Sequence, residues 1–154
     1  MNVMPTEGPV WSEGLRLMAG PYFLGLYQPS PETQGYWEGV ARRELLLKWC
    51  PACQRAFHPK RIVCTGCGSS ELQWKASSGR GKVYSFSEVH HVTDSAFIEA
   101  APYTLGLVQL EEGVSLLSRL IAEPGPMAID QPARVDFRVL ENGRLLPVFL
   151  VGPT

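Results

Sequence analysis

The sequence predicts a mainly β chain: a helical N-terminal segment, a metal-stapled ribbon, and a body of five short strands. Three observations carry this expectation. Four cysteines stand as two pairs, Cys50 with Cys53 and Cys64 with Cys67, in the spacing C-x2-C-x10-C-x2-C. The chain holds 13 prolines and 15 glycines in 154 residues, which favours turns over long helices. Beyond residue 82, short runs rich in β-branched and aromatic residues follow one another with turn signals between them.

The N-terminal segment, residues 1–43, reads as helical. Ser12 is placed to cap a short helix through Met18, which Gly20-Pro21 would end. Ser30 followed by Pro31 is a second start signal, a capping hydroxyl and then proline at the first helical position. That helix is expected to run to about Arg43, with Tyr36, Trp37 and Val40 on one face. Gly35 and Gly39 weaken it, so it needs a surface to lie on. The aromatic stretch Tyr22 to Tyr27 would pack on the chain's own core or against another subunit.

Residues 44–78 form the ribbon. Glu44 to Trp49 reads as a strand leading into the first knuckle. A two-residue gap turns both thiolates of a pair toward one point, and two facing knuckles supply four sulfurs to a tetrahedral zinc ion. Such a zinc has no open position, so it is structural. Two disulfides are the alternative reading. Met1 to Met18 lacks a basic region followed by an apolar core, so no secretory leader is expected, and a reducing, cytoplasmic setting favours metal. Gly68 follows the second cysteine of its pair, where the backbone often turns to positive φ. Gln54 holds the matching place in the first knuckle, at an expected strain of about 1 kcal/mol. Leu72, Trp74 and Ala76 alternate with polar residues as a closing strand.

Residues 79–154 form the body. Ser77-Ser78-Gly79-Arg80-Gly81 reads as a hinge between ribbon and body. Strands are expected over Lys82 to Val92, Tyr103 to Leu110, Val114 to Ala122, Ala133 to Leu140 and Arg144 to Val151, with Asn142-Gly143 as a hairpin turn. Tyr84 and Phe86 share a strand face and are assigned to the core. Five strands of this size suggest a closed OB-fold barrel, with an open sandwich as the alternative.

Composition narrows the function classes. Hydrophobic residues make up 45% and charged residues 19%, as in a folded globular chain, and no apolar run approaches the length of about 20 residues that crosses a bilayer. Membrane insertion is therefore not expected. Charge is uneven. Between Arg42 and Lys82 lie nine basic residues and only Glu44 and Glu71 as acids, a surplus of seven positive charges in a chain whose net charge is −1. A positive module on a negative body points to an anionic ligand or partner, or to a solvated face that keeps the ribbon soluble.

Little in the sequence points to catalysis. No G-x-S-x-G, H-E-x-x-H, P-loop or G-x-G-x-x-G motif occurs, and no catalytic residue is assigned. His90 and His91 are neighbours on a strand and point to opposite faces. His91 with Asp94 is a minor candidate for an acid–base pair. His58 lies near the knuckles, where four sulfurs already satisfy the metal. More weight falls on Lys60 and Arg61 behind His58-Pro59, and on Arg80 and Lys82 across the hinge. Together these four cations would hold a polyanion, and each shielded charge-assisted contact is worth roughly 1.5–3 kcal/mol. Phe57, Trp74, Tyr84 and Phe86 are near in sequence and offer rings for stacking.

Several motifs occur together in one order: Tyr36-Trp37, Leu47-Lys48-Trp49-Cys50-Pro51-Ala52-Cys53, Phe57-His58-Pro59-Lys60-Arg61, Cys64-Thr65-Gly66-Cys67-Gly68-Ser69, Ser78-Gly79-Arg80-Gly81-Lys82-Val83-Tyr84-Ser85-Phe86-Ser87, Pro102-Tyr103 and Leu116-Leu117-Ser118. From about Tyr36 to Phe149 the chain resembles the zinc-ribbon/OB-fold family of acyl-CoA-associated proteins. Members often carry glycine where Gln54 stands and tyrosine where His58 stands, and neither departure touches the metal ligands. The resemblance implies a rubredoxin-like zinc ribbon followed by an OB-fold. It implies a noncatalytic accessory subunit beside a thiolase-like enzyme (a thiolase, acyltransferase or aldolase), organising the complex and helping to bind the coenzyme A of an acyl-CoA. The competing reading is a single-stranded nucleic-acid-binding module, since both folds serve that role. The acidic barrel half weighs against it.

Overall fold

The computed structural model describes residues 30–91, 101–122, 125–139 and 143–153. The proposed helix Ser12 to Met18, the stretch Tyr22 to Tyr27, Asp94 and Asn142 lie outside the described residues. Among the described residues one helix, α1 (Gln34–Ala41), precedes eight strands: β1 (Leu46–Cys50), β2 (Arg55–Phe57), β3 (Gln73–Ala76), β4 (Arg80–Val89), β5 (Tyr103–Leu110), β6 (Ser115–Ala122), β7 (Pro132–Val139) and β8 (Leu145–Val151).

The helix starts later than the Ser30-Pro31 signal suggests. The Thr33 N–H donates to the Ser30 carbonyl at 2.9 Å, and the Ser30 N–H donates to Thr33 Oγ1 at 2.9 Å. These bonds close a tight turn over residues 30–33, in which Pro31 takes the second place that its fixed φ suits. Thr33 then stands before the first helical residue, and its carbonyl accepts from the Trp37 N–H at 3.2 Å. At the other end Arg43 adopts φ 61, and Glu44 and Arg43 donate back to Gly39 and Val40 at 2.9 Å. This is a left-handed stop that glycine usually makes. Arg43 Nη1 also donates to the Phe137 carbonyl at 3.0 Å, tying the stop to β7.

The two helix glycines meet the surface they need. A Cβ on Gly35 would lie 2.2 Å from the Trp74 indole nitrogen, and one on Gly39 would lie 2.6 Å from Leu46 Cγ. The ribbon therefore presses directly on the helix backbone, which only glycine allows.

In the ribbon β1 is central, antiparallel to β2 (Cys50 opposite Arg55) and to β3 (Lys48 opposite Trp74). β2 was not expected from the sequence, since three residues carry too short a pattern to read. The remaining five strands close a barrel in the order β4-β5-β6-β8-β7, with β6 and β8 parallel and the other neighbours antiparallel. This is the OB-fold topology, and closure excludes the open sandwich. Val83, Val108 and Leu116 form one inward row across three strands, and Leu120, Ala133, Phe149 and Val151 complete it.

Ribbon and barrel share this core. Leu45 and Leu47 of the ribbon are 3% and 2% exposed and belong to the same buried cluster as Val83, Val108 and Phe149. The expected hinge is accordingly a fixed strap. The Ser77 N–H donates to the Leu45 carbonyl at 2.8 Å, Ser78 N–H to Glu112 Oε1 at 2.6 Å, and Val135 N–H to the Gly79 carbonyl at 2.7 Å. Gly79 is buried at φ 70, and a Cβ there would lie 2.4 Å from Val135 Cγ1. Small residues here serve close approach rather than flexibility.

Tyr84 and Phe86 also correct the sequence reading. They are 59% and 39% exposed. The β4–β5 register shifts between Val83 and Ser85, so a bulge at Tyr84 interrupts the inward alternation.

Candidate metal centre and its cationic surroundings

Cys50 ends the central strand, Cys53 closes the turn to β2, and Cys64 and Cys67 lie on the opposite knuckle. Their four Sγ atoms all lie within 4.8 Å of one another. Cys50 and Cys67 Sγ are 3.7 Å apart. A tetrahedron with zinc–sulfur bonds of about 2.3 Å has edges of about 3.8 Å, so the donor set fits zinc. Such a distance is also far too long for a disulfide, and all four cysteines are free.

Backbone geometry aims the sulfurs. The Cys53 N–H donates to Cys50 Sγ at 3.5 Å and the Gly66 N–H donates to Cys64 Sγ at 3.3 Å. A Cβ on Gly66 would stand 3.2 Å from Cys53 Sγ and 3.6 Å from Cys64 Sγ, inside the space the thiolates occupy. Each knuckle turns left-handed after its second cysteine, Gln54 at φ 52 and Gly68 at φ 75. The strain expected at Gln54 is therefore present. Gln54→Gly is expected to stabilise the zinc-loaded protein by about 0.5–1 kcal/mol, read as a higher thermal midpoint in excess zinc.

Four thiols around one point cannot all ionise unaided. Cys53 is pushed up to about 12 by its contacts with Cys67 and then Cys64. Cys64 is drawn down to about 6, chiefly by the Cys67 backbone N–H. A divalent cation would resolve this conflict by holding all four as thiolates.

His58 stays outside the sulfur cluster. Its Nδ1 accepts from the Lys60 N–H at 3.2 Å, and its carbonyl accepts from the Arg61 N–H at 2.8 Å. Desolvation, then the charges of Lys60 and Arg61, hold the ring below the usual histidine range, so it is a neutral acceptor that shapes the turn. Both cations of this turn are exposed. The other two expected cations start β4 and meet acids. Arg80 forms two bonds to Glu111, at 3.2 Å each, and Lys82 Nζ lies 2.8 Å from Asp130 Oδ1. The Glu111 carboxyl is held below its ordinary range by Arg80 and then Ser78. These acids were not foreseen, because Glu111 lies 31 residues from Arg80 and only the barrel brings them together.

The rings near the ribbon are partly engaged. Lys48 Nζ sits 3.8 Å from the centre of the Trp74 ring, and Lys75 Nζ sits 3.7 Å from that of Trp49. His90 Nε2 lies 3.4 Å from Glu88. Among the described residues, no helix is long and apolar enough to cross a membrane.

Known proteins match both halves. A family model described as "ChsH2, rubredoxin-like zinc ribbon domain" matches residues 37–73, and one described as "ChsH2, C-terminal OB-fold domain" matches residues 74–138. A "DUF35 domain-containing scaffold protein" of Methanothermobacter thermautotrophicus is 33% identical over 116 residues, covering 73% of this chain and 86% of that protein. A "Probable enoyl-CoA hydratase alpha subunit" of Thermomonospora curvata is 33% identical over 115 residues, 74% of this chain. The match spans only 35% of that subunit's length. A "Benzoylsuccinyl-CoA thiolase subunit BbsA" of Thauera aromatica is 27% identical over 95 residues, 62% of this chain and 64% of the subunit. Among solved structures, a chain of "Ltp2-ChsH2(DUF35) aldolase" superposes with a TM-score of 0.71 at 31% identity, covering 80% of this chain and 98% of the other. With its four-sulfur ribbon joined to a five-stranded OB barrel, the chain belongs to the ChsH2-type DUF35 family.

Proposed function

We propose that the chain is a noncatalytic accessory subunit of a thiolase-superfamily enzyme acting on acyl-CoA, a thiolase, acyltransferase or aldolase. It organises the complex and helps to hold coenzyme A. The carrying observation is family membership combined with the convergence of all four cysteine sulfurs on one point. Relatives named as scaffold proteins and as enzyme subunits support the same reading. In this reading the zinc is structural, and the complex works in the reducing cytoplasm that keeps its thiols free.

Lys60 and Arg61 on the ribbon turn, with Arg80 and Lys82 on β4, are the proposed contacts for the phosphates of coenzyme A. Arg80 and Lys82 are paired with Glu111 and Asp130, so an incoming phosphate would compete with these carboxylates for them. Titration calorimetry with coenzyme A, on the complex with a thiolase-superfamily enzyme that co-purifies with this chain, tests the assignment. Replacing all four cations by alanine is expected to weaken coenzyme A binding at least about tenfold, given the usual worth of charge-assisted bonds. Unchanged affinity would remove these residues from the site. A wild-type chain that binds no such protein would sink the accessory-subunit reading itself.

A further inference from the structure

β4 is ten residues long, but its two edges are treated differently. Along one edge it pairs with β5 from Gly81 to Val89. Along the other it pairs with β7 only at Arg80, Gly81 and Lys82. Val83 is still covered there, since its N–H donates to the Gln131 carbonyl at 3.0 Å and its carbonyl accepts from the Asp130 N–H at 2.9 Å. Past Val83, no strand among the described residues joins this edge.

The direction of the remaining backbone groups follows from the ladder. Val83 turns both its groups away from β5, so its pair with Val108 is not hydrogen-bonded. Antiparallel pairs alternate. Across the bulge, Ser85 opposite Leu107 and Ser87 opposite Leu105 are then bonded to β5, while Phe86 opposite Gly106 and Glu88 opposite Thr104 are not. The N–H and C=O of Phe86 and Glu88 therefore point to the open side. Tyr84 through Glu88 are exposed on both faces of this segment, including the rings of Tyr84 and Phe86. Open strand edges are normally blunted by proline, lysine or a cover, and here only Glu88 carries charge between Tyr84 and Val89.

We infer that the edge Tyr84–Val89 accepts an added β-strand from the catalytic partner subunit. The inference rests on the accessory-subunit reading above, which supplies the partner. The incoming strand bonds to the outward-pointing N–H and C=O groups of Phe86 and Glu88. Its side chains are apolar beside Phe86 and Tyr84, and polar or basic opposite Glu88. Backbone bonds give the contact its strength and the alternating side chains its selectivity.

The test uses the complex of this chain with a thiolase-superfamily subunit that co-purifies with it. Hydrogen exchange is compared between the free chain and the complex, and affinity is measured for two variants. Glu88→Pro removes an N–H that β5 does not use, so the β4–β5 ladder survives. Glu88→Thr keeps that N–H. Expected results are protection at Phe86 and Glu88 in the complex, at least about tenfold weaker binding for Glu88→Pro, and near-wild-type binding for Glu88→Thr, with zinc content and circular dichroism unchanged in both. Wild-type binding by Glu88→Pro, or protection confined to other strands, would overturn the inference while leaving the accessory-subunit reading intact. A wild-type chain that binds no partner overturns both. If Glu88→Pro loses zinc or structure, the exchange pattern of the wild-type complex decides alone.

Discussion

Removing zinc from this protein, or replacing Cys50 by serine, is expected to unfold the ribbon and to lower the melting temperature of the barrel with it. Cys50 is 0% exposed and forms a small cluster with Phe57 and Cys64. That cluster is too small to hold three short strands alone. Apparent zinc affinities of about 10–16 kcal/mol in comparable peptides exceed what such a cluster contributes, so metal binding is folding energy here. The consequence for the barrel comes from Leu45 and Leu47, which leave the shared core if the ribbon opens. A scanning calorimetry trace should show one transition in zinc. Chelation should lower the melting temperature of the barrel. A barrel transition indifferent to chelator would show the two halves to be independent.

Leu47→Ala is expected to destabilise the whole chain by about 2–5 kcal/mol, the usual range for truncating a buried leucine. The side chain is 2% exposed and sits on β1 yet packs in the barrel cluster. The cavity would open in the cluster that Leu47 shares with Val83, Val108 and Phe149. Leu117→Ala serves as the comparison. Leu117 is 69% exposed, so its loss should change stability by no more than about 0.5 kcal/mol. Urea denaturation of both variants in excess zinc measures the difference. Equal effects would mean that ribbon and barrel do not share their stability.

Much of the architecture was legible in the chain because it rests on local chemistry. The C-x2-C spacing dictates where thiolates can converge, whatever surrounds them. A left-handed turn after the second cysteine follows from the knuckle itself, so Gln54 was readable as strained before its φ of 52 was known. The Tyr103–Leu110 strand matched its expected bounds because Pro102 before it and Glu112-Gly113 after it are turn signals. Reading failed where a short motif had two meanings. Ser30-Pro31 suits a helix start and a turn equally, and the Thr33 hydroxyl decides between them. Ser77-Ser78-Gly79 suits a flexible joint and a close crossing equally, and Val135 decides.

Spacing along the chain was enough to read the four cysteines that converge, the order of ribbon and barrel, and the lack of a recognised catalytic motif. Each of these depends on residues that are neighbours or nearly so. Only the folded chain shows that ribbon and barrel share one core, that Glu111 and Asp130 face the cations of β4, and that half of β4 is paired along one edge only among the described residues. Those facts depend on which distant segments close the barrel and where a single bulge breaks its alternation. Spacing along a chain carries no record of that closure, because contacts between remote strands are selected by packing and backbone hydrogen bonding only once the fold has formed.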